Sequence, residues 1–425
     1  MVSFSKYEIY KESNILGVDL IPKHWQTLPL CALARLKSIT NCHDKELLSV
    51  YLDLGVIRFS EVNEKRTNVT SEDLSKYQEV SPGDLVLNNQ QAWRGSVGVS
   101  KYHGIVSPAY IVLELKPDID EIFANYYFRH GAMVSQYLVC SRGVGTIQRN
   151  LYWPQLKRVQ VALPPLAEQQ LIAKFLDQKT AEIGETISQK QRLIELLKEQ
   201  KAILINQAVT RGLNSDVPMR DSGVEWIGEV PAHWEVKRAK YIFKEVDERS
   251  QTGAEELLSV SHMTGVTPRS EKNVYMFMAE DYSGSKLCRK DDVVFNIMWA
   301  WMGALGVSDR TGIVSPSYGV YRQQLPGNFN AWYLENLLRS DQYVAEYNRR
   351  STGLNSSRLR LYPHMFFDME ISVPPRAEQD KIEAGVTART AQLDNAVLSV
   401  EAEIEIIAEL RNTIISEAVT GKIKL

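Results

Sequence analysis

The sequence predicts an α+β chain. Two mixed strand-rich globular domains alternate with two long helices that pair as an antiparallel coiled coil, giving a pseudo-two-fold internal duplication. Three observations carry this. The chain matches itself at an offset of 208 to 210 residues, each copy switches from strand-like to helical periodicity at a Pro-Pro pair, and 425 residues exceed one ordinary hydrophobic core.

The repeat is a series of matches in one order. Pro22-Lys23-His24-Trp25 matches Pro231-Ala232-His233-Trp234, and Leu47-Leu48-Ser49-Val50 matches Leu257-Leu258-Ser259-Val260. LVLNNQQAWRGSVGVS at 85–100 matches VVFNIMWAWMGALGVS at 293–308, and IVSPAY at 105–110 matches IVSPSY at 313–318. LPPLAEQ at 163–169 matches VPPRAEQ at 373–379, and Ala208-Val209-Thr210 matches Ala418-Val419-Thr420. A period this long is a duplication of whole domains, not a solenoid.

Upstream of each Pro-Pro, short apolar runs such as 85–87, 105–106, 111–113 and 293–297 are punctuated by Gly, Pro and Asn, which predicts strands. Helical segments are expected around 121–140 and 330–349. Downstream, Ile172, Leu176, Ile183, Ile187, Ile194, Leu197, Leu204 and Ala208 recur at three- and four-residue steps. The second copy repeats this with Ile382, Val386, Leu393, Val397, Val400, Ile404, Ile407, Leu410, Ile414 and Ala418. Pro164 and Pro165 suit a helix entry, and Gly212 and Gly421 suit its exit. About 40 residues give a helix roughly 60 Å long, too long for a small domain to cover, so each helix is expected to pair with its duplicate. The alternative is that each packs on its own globular domain.

Composition excludes several classes. With 44% hydrophobic and 24% charged residues the chain is an ordinary globular protein. It has no run of about 18 apolar residues and no signal-like N-terminus, so a cytoplasmic protein without membrane attachment is expected. The four cysteines, Cys31, Cys42, Cys140 and Cys288, show no zinc-ligand spacing and are expected as buried thiols. A net charge of −3 argues against coating nucleic acid by charge alone.

The search for chemistry is negative. No phosphate-loop motif is present. SPAY at 107–110 and SPSY at 315–318 lack the second proline of an amino-methyltransferase motif and read as turns, as do the Gly-x-x-Gly-Val-Ser segments at 95–100 and 303–308. Glu114-Leu115-Lys116 and Glu199-Gln200-Lys201 lack an acidic partner for a nuclease metal. His24 and His233 have no accompanying nucleophile and are expected as packed or capping side chains.

The paired Pro-Pro-x-Ala-Glu-Gln segments (Pro164 to Gln169, Pro374 to Gln379), the stretches from Gly83 and Asp291, and the IVSPAY and IVSPSY pair resemble the specificity subunits of type I restriction-modification systems, HsdS. The resemblance covers almost the whole chain. It implies target-recognition domains at 1–163 and 214–373 and helical spacer regions at 164–213 and 374–425. Each domain then reads one half of a split double-stranded DNA target, and the coil sets the spacing and docks two methyltransferase (M) subunits. Restriction (R) subunits add to these. The chain itself is implied to be non-catalytic and cofactor-free, with S-adenosylmethionine, ATP and magnesium belonging to the partners. A scaffold without sequence-specific reading is the competing expectation. Two-fold readers meet half-sites roughly 34 Å apart, which suits paired duplicate helices.

Base reading favours Arg or Lys on guanine and Asn or Gln on adenine. The candidate DNA-binding residues are therefore Asn89, Gln90, Gln91 and Arg94, then Arg142, Gln148 and Arg149, in the first domain. In the second they are Arg349, Arg350, Asn355, Ser356, Arg358 and Arg360. Trp93, Trp299 and Trp301 are weaker candidates, because tryptophans shared between repeats are expected in the core.

Overall fold

A computed structural model describes residues 4–42, 44–52, 54–61, 73–144, 148–272, 281–353 and 359–425, with Val144 and Gln148 described for their backbone only. The chain divides into two units, Met1–Gln191 with Glu401–Leu425, and Arg192–Val400.

In the first unit a four-stranded antiparallel sheet has the order Ala34–Lys37, Tyr110–Leu115, Asp84–Asn88, Val97–Val99. Alternate residues point to opposite faces. Leu85, Leu87, Ile111 and Leu113 enter the main core, while Val86 and Val112 join a smaller cluster with Leu48, Val50, Val80 and Val106. Both faces are covered, which is why these strands read as unbroken apolar runs instead of an alternation. The second unit repeats the arrangement with Phe243–Glu245, Gly319–Gln323, Val293–Phe295 and Leu305–Val307. There Val293, Phe295 and Tyr321 face the main core and Val294 and Val320 the smaller cluster.

The shared glycines have a steric cause. A Cβ on Gly98 would lie 2.9 Å from Gly55 Cα, and one on Gly306 would lie 2.7 Å from the Val266 nitrogen. Neighbouring backbone crosses there too closely for any side chain.

Each stretch expected to be helical is split in two: α1 (Glu121–Arg129) and α2 (Gly131–Cys140) in the first unit. Neither Gly nor Pro breaks it; His130 turns extended and caps α2, its ring nitrogen accepting the Ala132 N–H at 3.3 Å. Only 5% exposed, the imidazole is pushed by burial down to about 4. Because that value lies below the usual 6.5, its contribution to stability is complete above pH 6.5 and is lost as pH falls toward 4. Between pH 7 and pH 5 the first unit is expected to lose roughly 2 kcal/mol from this group. Urea midpoints across that range should flatten in His130→Ser, the residue that Ser340 supplies in the second copy.

The long helices are α3 (Leu166–Arg211) and, in the second copy after α4 (Ala331–Leu338) and α5 (Asp341–Arg350), α6 (Arg376–Val419). Within the first unit, Ile172, Ala173 and Leu176 of α3 share a core with Ile414, Ala418 and Val419 of α6. Within the second, Ala208 and Val209 of α3 share a core with Ile382 and Val386 of α6. Both expectations for the helices therefore hold together: each packs on its own domain and, running antiparallel, on a segment of its duplicate. Large apolar side chains buried this way contribute about 1.5–3 kcal/mol each. The cross-helix ion pairs Lys190–Glu403 and Lys201–Asp394 are partly exposed and contribute under about 1 kcal/mol, so they fix register more than stability. Leu410, read as part of the apolar stripe, is instead 52% exposed, because the seam passes through Ile407, Arg411 and Ile414.

One joint, built twice, explains most of the repeat. Pro164 and Pro165 lead into α3, placing Glu168 in its first turn, where a carboxylate is favoured by the unpaired N–H groups. Glu168 accepts the buried Trp25 indole N–H at 3.0 Å and pairs with His24 at 2.8 Å. Gln169, 1% exposed, accepts the Asp120 N–H at 2.9 Å and donates to the Pro164 carbonyl at 3.0 Å, locking the entry of α1 to that of α3. The second copy repeats each contact: Glu378 with Trp234 at 3.1 Å and His233 at 2.6 Å, Gln379 with Asn330 at 2.8 Å and Pro374 at 2.9 Å. The histidines are thus half-exposed ties to a carboxylate, not core or capping groups.

The other end of each helix closes the joint. Gly421 ends α6 at φ +73, with its Cβ position 2.3 Å from Pro22 Cδ and 3.1 Å from Trp25. Gly212 ends α3 at φ +79, beside Glu378 and Trp234. Only glycine adopts this left-handed exit without strain.

The cysteines depart from expectation: all are free, but only Cys288 is buried, and Cys31 is exposed. Cys31 lies on the outer side of a short helix whose Leu30 and Leu33 face inward. No helix is long and apolar enough to cross a membrane among the described residues.

Candidate nucleic-acid interface

In the first unit the strand Asp84–Asn88 leads into a tight loop that a 3-10 turn, Ala92–Arg94, returns to Val97–Val99. The Asn88 side chain accepts the Gln90 N–H at 3.1 Å, and Gly95 at φ +106 ends the turn. Gln90 and Arg94 are exposed, and Asn89 and Gln91 are half-buried. Trp93 donates its indole N–H to the Gln90 carbonyl at 2.9 Å, and the Arg94 guanidinium lies 4.6 Å over its ring.

A second group comes alongside. Ser141–Val144 and Gln148–Leu151 form an antiparallel hairpin, with Arg142 opposite Asn150 and Gly143 opposite Arg149. Leu151 N–H donates to the Asn89 carbonyl at 3.0 Å, so loop and hairpin are tied together. Residues 50 positions apart in sequence thus share one surface: Arg142 is exposed on the hairpin and Arg149 half-buried beside it. The side chain of Gln148 lies outside the described residues.

The second unit keeps the scaffold and changes the chemistry. Leu361 N–H donates to the Ile297 carbonyl at 3.0 Å, the same tie, and Thr352 pairs with Arg360 across the equivalent hairpin stem. Arg360 is exposed there, while Asn355, Ser356 and Arg358 lie outside the described residues. The loop is apolar where the first is polar: Met298, Trp299 and Met302 are 37%, 47% and 37% exposed. Trp299 and Trp301 stack with centroids 6.0 Å apart.

The core placement expected for these tryptophans is therefore wrong. Trp25 and Trp234 are the core pair at 0% and 1% exposure, whereas Trp93 and Trp301 are half-buried and Trp299 is exposed. Trp93 and Trp301 each donate the indole N–H to the carbonyl three residues earlier and so brace their loops from outside. The signal available in sequence was the glycine two residues on, which marks the tip of a turn and not a strand interior.

Arg349 and Arg350 end α5 and both grip Glu346, which is 1% exposed as a side chain. Arg349 donates twice, each bond 2.6 Å long, and stays 67% exposed; Arg350 is 23% exposed. Burial pushes the Glu346 carboxyl up, but the hydrogen bonds from the two arginines outweigh it and hold the carboxyl below its usual range. The first copy has Gln136 in place of Glu346, with Val139 and Cys140 in place of the arginines, so this cluster belongs to the second unit alone. Among the described residues, no group of three or more His, Cys, Asp or Glu side chains is placed to hold a metal ion.

Two copies of one joint, with two loops that keep their backbone frame and differ in chemistry, suit a recognition protein. Comparison with known proteins agrees. The type I restriction modification DNA specificity domain matches residues 22–196. The chain is 26% identical over 54% of its length to a putative type I restriction enzyme MjaX specificity subunit of Methanocaldococcus jannaschii, a match spanning 55% of that protein. It is 23% identical over its full length to the MjaVIII specificity subunit of the same organism, spanning 98% of that protein. A solved chain of the type I R-M system shares the fold at a TM-score of 0.59 and 14% identity, covering 95% of this chain and 99% of the other. Residues 22–196 thus match a type I restriction modification DNA specificity domain, and the chain as a whole is similar to specificity subunits of type I restriction enzymes.

Proposed function

We propose that each domain, 1–163 and 214–373, reads one half of a bipartite double-stranded DNA target. The helical regions 164–213 and 374–425 set the distance between half-sites and dock two methyltransferase subunits, to which restriction subunits add. S-adenosylmethionine, ATP and magnesium act in those partners. The observation that carries this reading is the contrast between copies: the joint keeps its His, Trp, Glu and Gln, while the loop changes from Asn89-Gln90-Gln91 to Ile297-Met298-Trp299. Asn and Gln suit adenine edges and Arg suits guanine, whereas Met and Trp suit apolar contact such as a thymine methyl, so the two half-sites are expected to differ. The reading residues are Asn89, Gln90, Gln91, Arg94, Arg142, Gln148 and Arg149 on one side. On the other they are Arg349, Arg350, Asn355, Ser356, Arg358 and Arg360, joined by Met298 and Trp299. Selection from random duplexes with the cognate methyltransferase present is expected to enrich a two-part motif; enrichment of none would favour a scaffold.

The arginine pair needs its own control. Removing both cations from buried Glu346 leaves an unpaired charge costing about 3–5 kcal/mol, so a loss of binding in the double Ala variant would report folding. In a Glu346→Gln background, Arg349→Ala with Arg350→Ala is expected to keep its melting temperature and lose preference at the second half-site. Unchanged preference removes the pair from the reading surface.

A further inference from the structure

The first unit holds a cavity of about 620 Å³ where α1, the start of α2, the loop end Arg94–Gly95 and the closing turns of α6 meet. Three arginines, Arg94, Arg129 and Arg411, line it, and among the described residues no Asp or Glu does, in a chain whose net charge is −3. Among the described residues neither Arg94 nor Arg411 has an ion-pair partner, and Arg129 is held in place by the Leu52 carbonyl at 3.3 Å.

Two further features point at a ligand. Gly131, the first residue of the ten-residue α2, lines the cavity with nothing within 4 Å of where a Cβ would stand, so its backbone is open to close approach. Helix starts present unpaired N–H groups and favour anions. His130, also in the wall and 5% exposed, accepts the Ala132 N–H on Nδ1, which leaves the proton of the neutral ring on Nε2. That buried nitrogen has no hydrogen-bond partner among the described residues. An unmade buried donor is costly, and an acceptor oxygen from a ligand removes the cost.

We infer that this cavity is a phosphate-binding site, with Arg94, Arg129 and Arg411 supplying charge and Gly131 and His130 supplying N–H donors. A phosphate group has the several acceptor oxygens that such a convergent set of donors satisfies, and guanidinium forks match them. Arg94 also ends the candidate reading loop, so the phosphate comes either from a DNA backbone or from free phosphate in solution. Only the first source rests on the DNA-reading proposal.

The test uses the full chain. Inorganic phosphate, against chloride at matched ionic strength, is expected to raise the melting temperature of the native chain and not that of Arg411→Ala, with Arg411→Lys intermediate. No DNA is present in this arm, so its outcome is independent of sequence reading. In the second arm, DNA affinity is measured against salt with the methyltransferase assembled. A salt slope lower by about 0.9 in Arg411→Ala identifies a backbone phosphate as the ligand. Stabilisation by inorganic phosphate with an unchanged slope identifies free phosphate. No stabilisation together with an unchanged slope overturns the inference; His130→Ser, which removes the Nε2 donor and leaves Arg411 in place, is expected to weaken stabilisation by phosphate, and full stabilisation in that variant removes His130 from the site.

Discussion

Inserting seven residues into both α3 and α6, in the stretch between the two joints, is expected to lengthen the preferred gap between half-sites by about three base pairs. Seven residues add about 10.5 Å of helix, and duplex DNA rises about 3.4 Å per base pair. A heptad preserves the apolar seam to within about 20°, so the helices remain able to pair. The joints at Glu168 and Glu378 are untouched, and each unit keeps its own loop and hairpin. Insertion into α3 alone is a different case: Lys190 and Lys201 lose register with Glu403 and Asp394, and the chain must strain or open instead of lengthening. Methylation of a duplex library with graded gaps measures the outcome. An unaltered preferred gap in the double insertion removes the ruler role from the coil.

Replacing Glu168 with alanine is expected to cost the first unit about 2–3 kcal/mol. The loss has three parts, because Glu168 also accepts the Tyr7 hydroxyl. The Trp25 indole N–H, 0% exposed, is left buried without an acceptor, and the charge-assisted bond to His24 disappears. Glu168→Gln keeps one acceptor oxygen and is expected to lose about half as much. Glu378→Ala should act in the same way on the second unit through Trp234 and His233. Denaturant unfolding of each variant gives the comparison; a cost below about 0.5 kcal/mol at either position shows that the joint does not hold its unit together.

Legibility in the sequence follows from constraint. The Pro-Pro-x-Ala-Glu-Gln and Pro-x-His-Trp segments are visible as repeats, and each is half of one joint. Their partnership was invisible, since Glu168 and Trp25 meet across 143 residues of chain. The apolar stripes of the helices were legible because a buried seam imposes a period, and Leu410 was misassigned because an exposed residue at the right spacing looks the same. The break at His130 left no mark: the second copy makes the same turn at Ser340, so neither Gly nor Pro is required.

The reading surface was harder for the same physical reason. Loop residues carry no periodic pattern, and an indole bracing a loop from outside is indistinguishable by type from one in the core, as Trp93 and Trp25 illustrate. A backbone hydrogen bond that any residue at position 151 other than proline can donate ties the 89–94 loop to the 141–151 hairpin, and so leaves no mark in the sequence.

In the proposed function one chain reads two different half-sites through two copies of one frame. The most direct test is a map of the bases methylated when the chain is assembled with its methyltransferase on genomic DNA. A motif of two dissimilar specified blocks separated by a constant gap of unspecified bases is expected. A single continuous motif, or methylation without sequence preference, would contradict it.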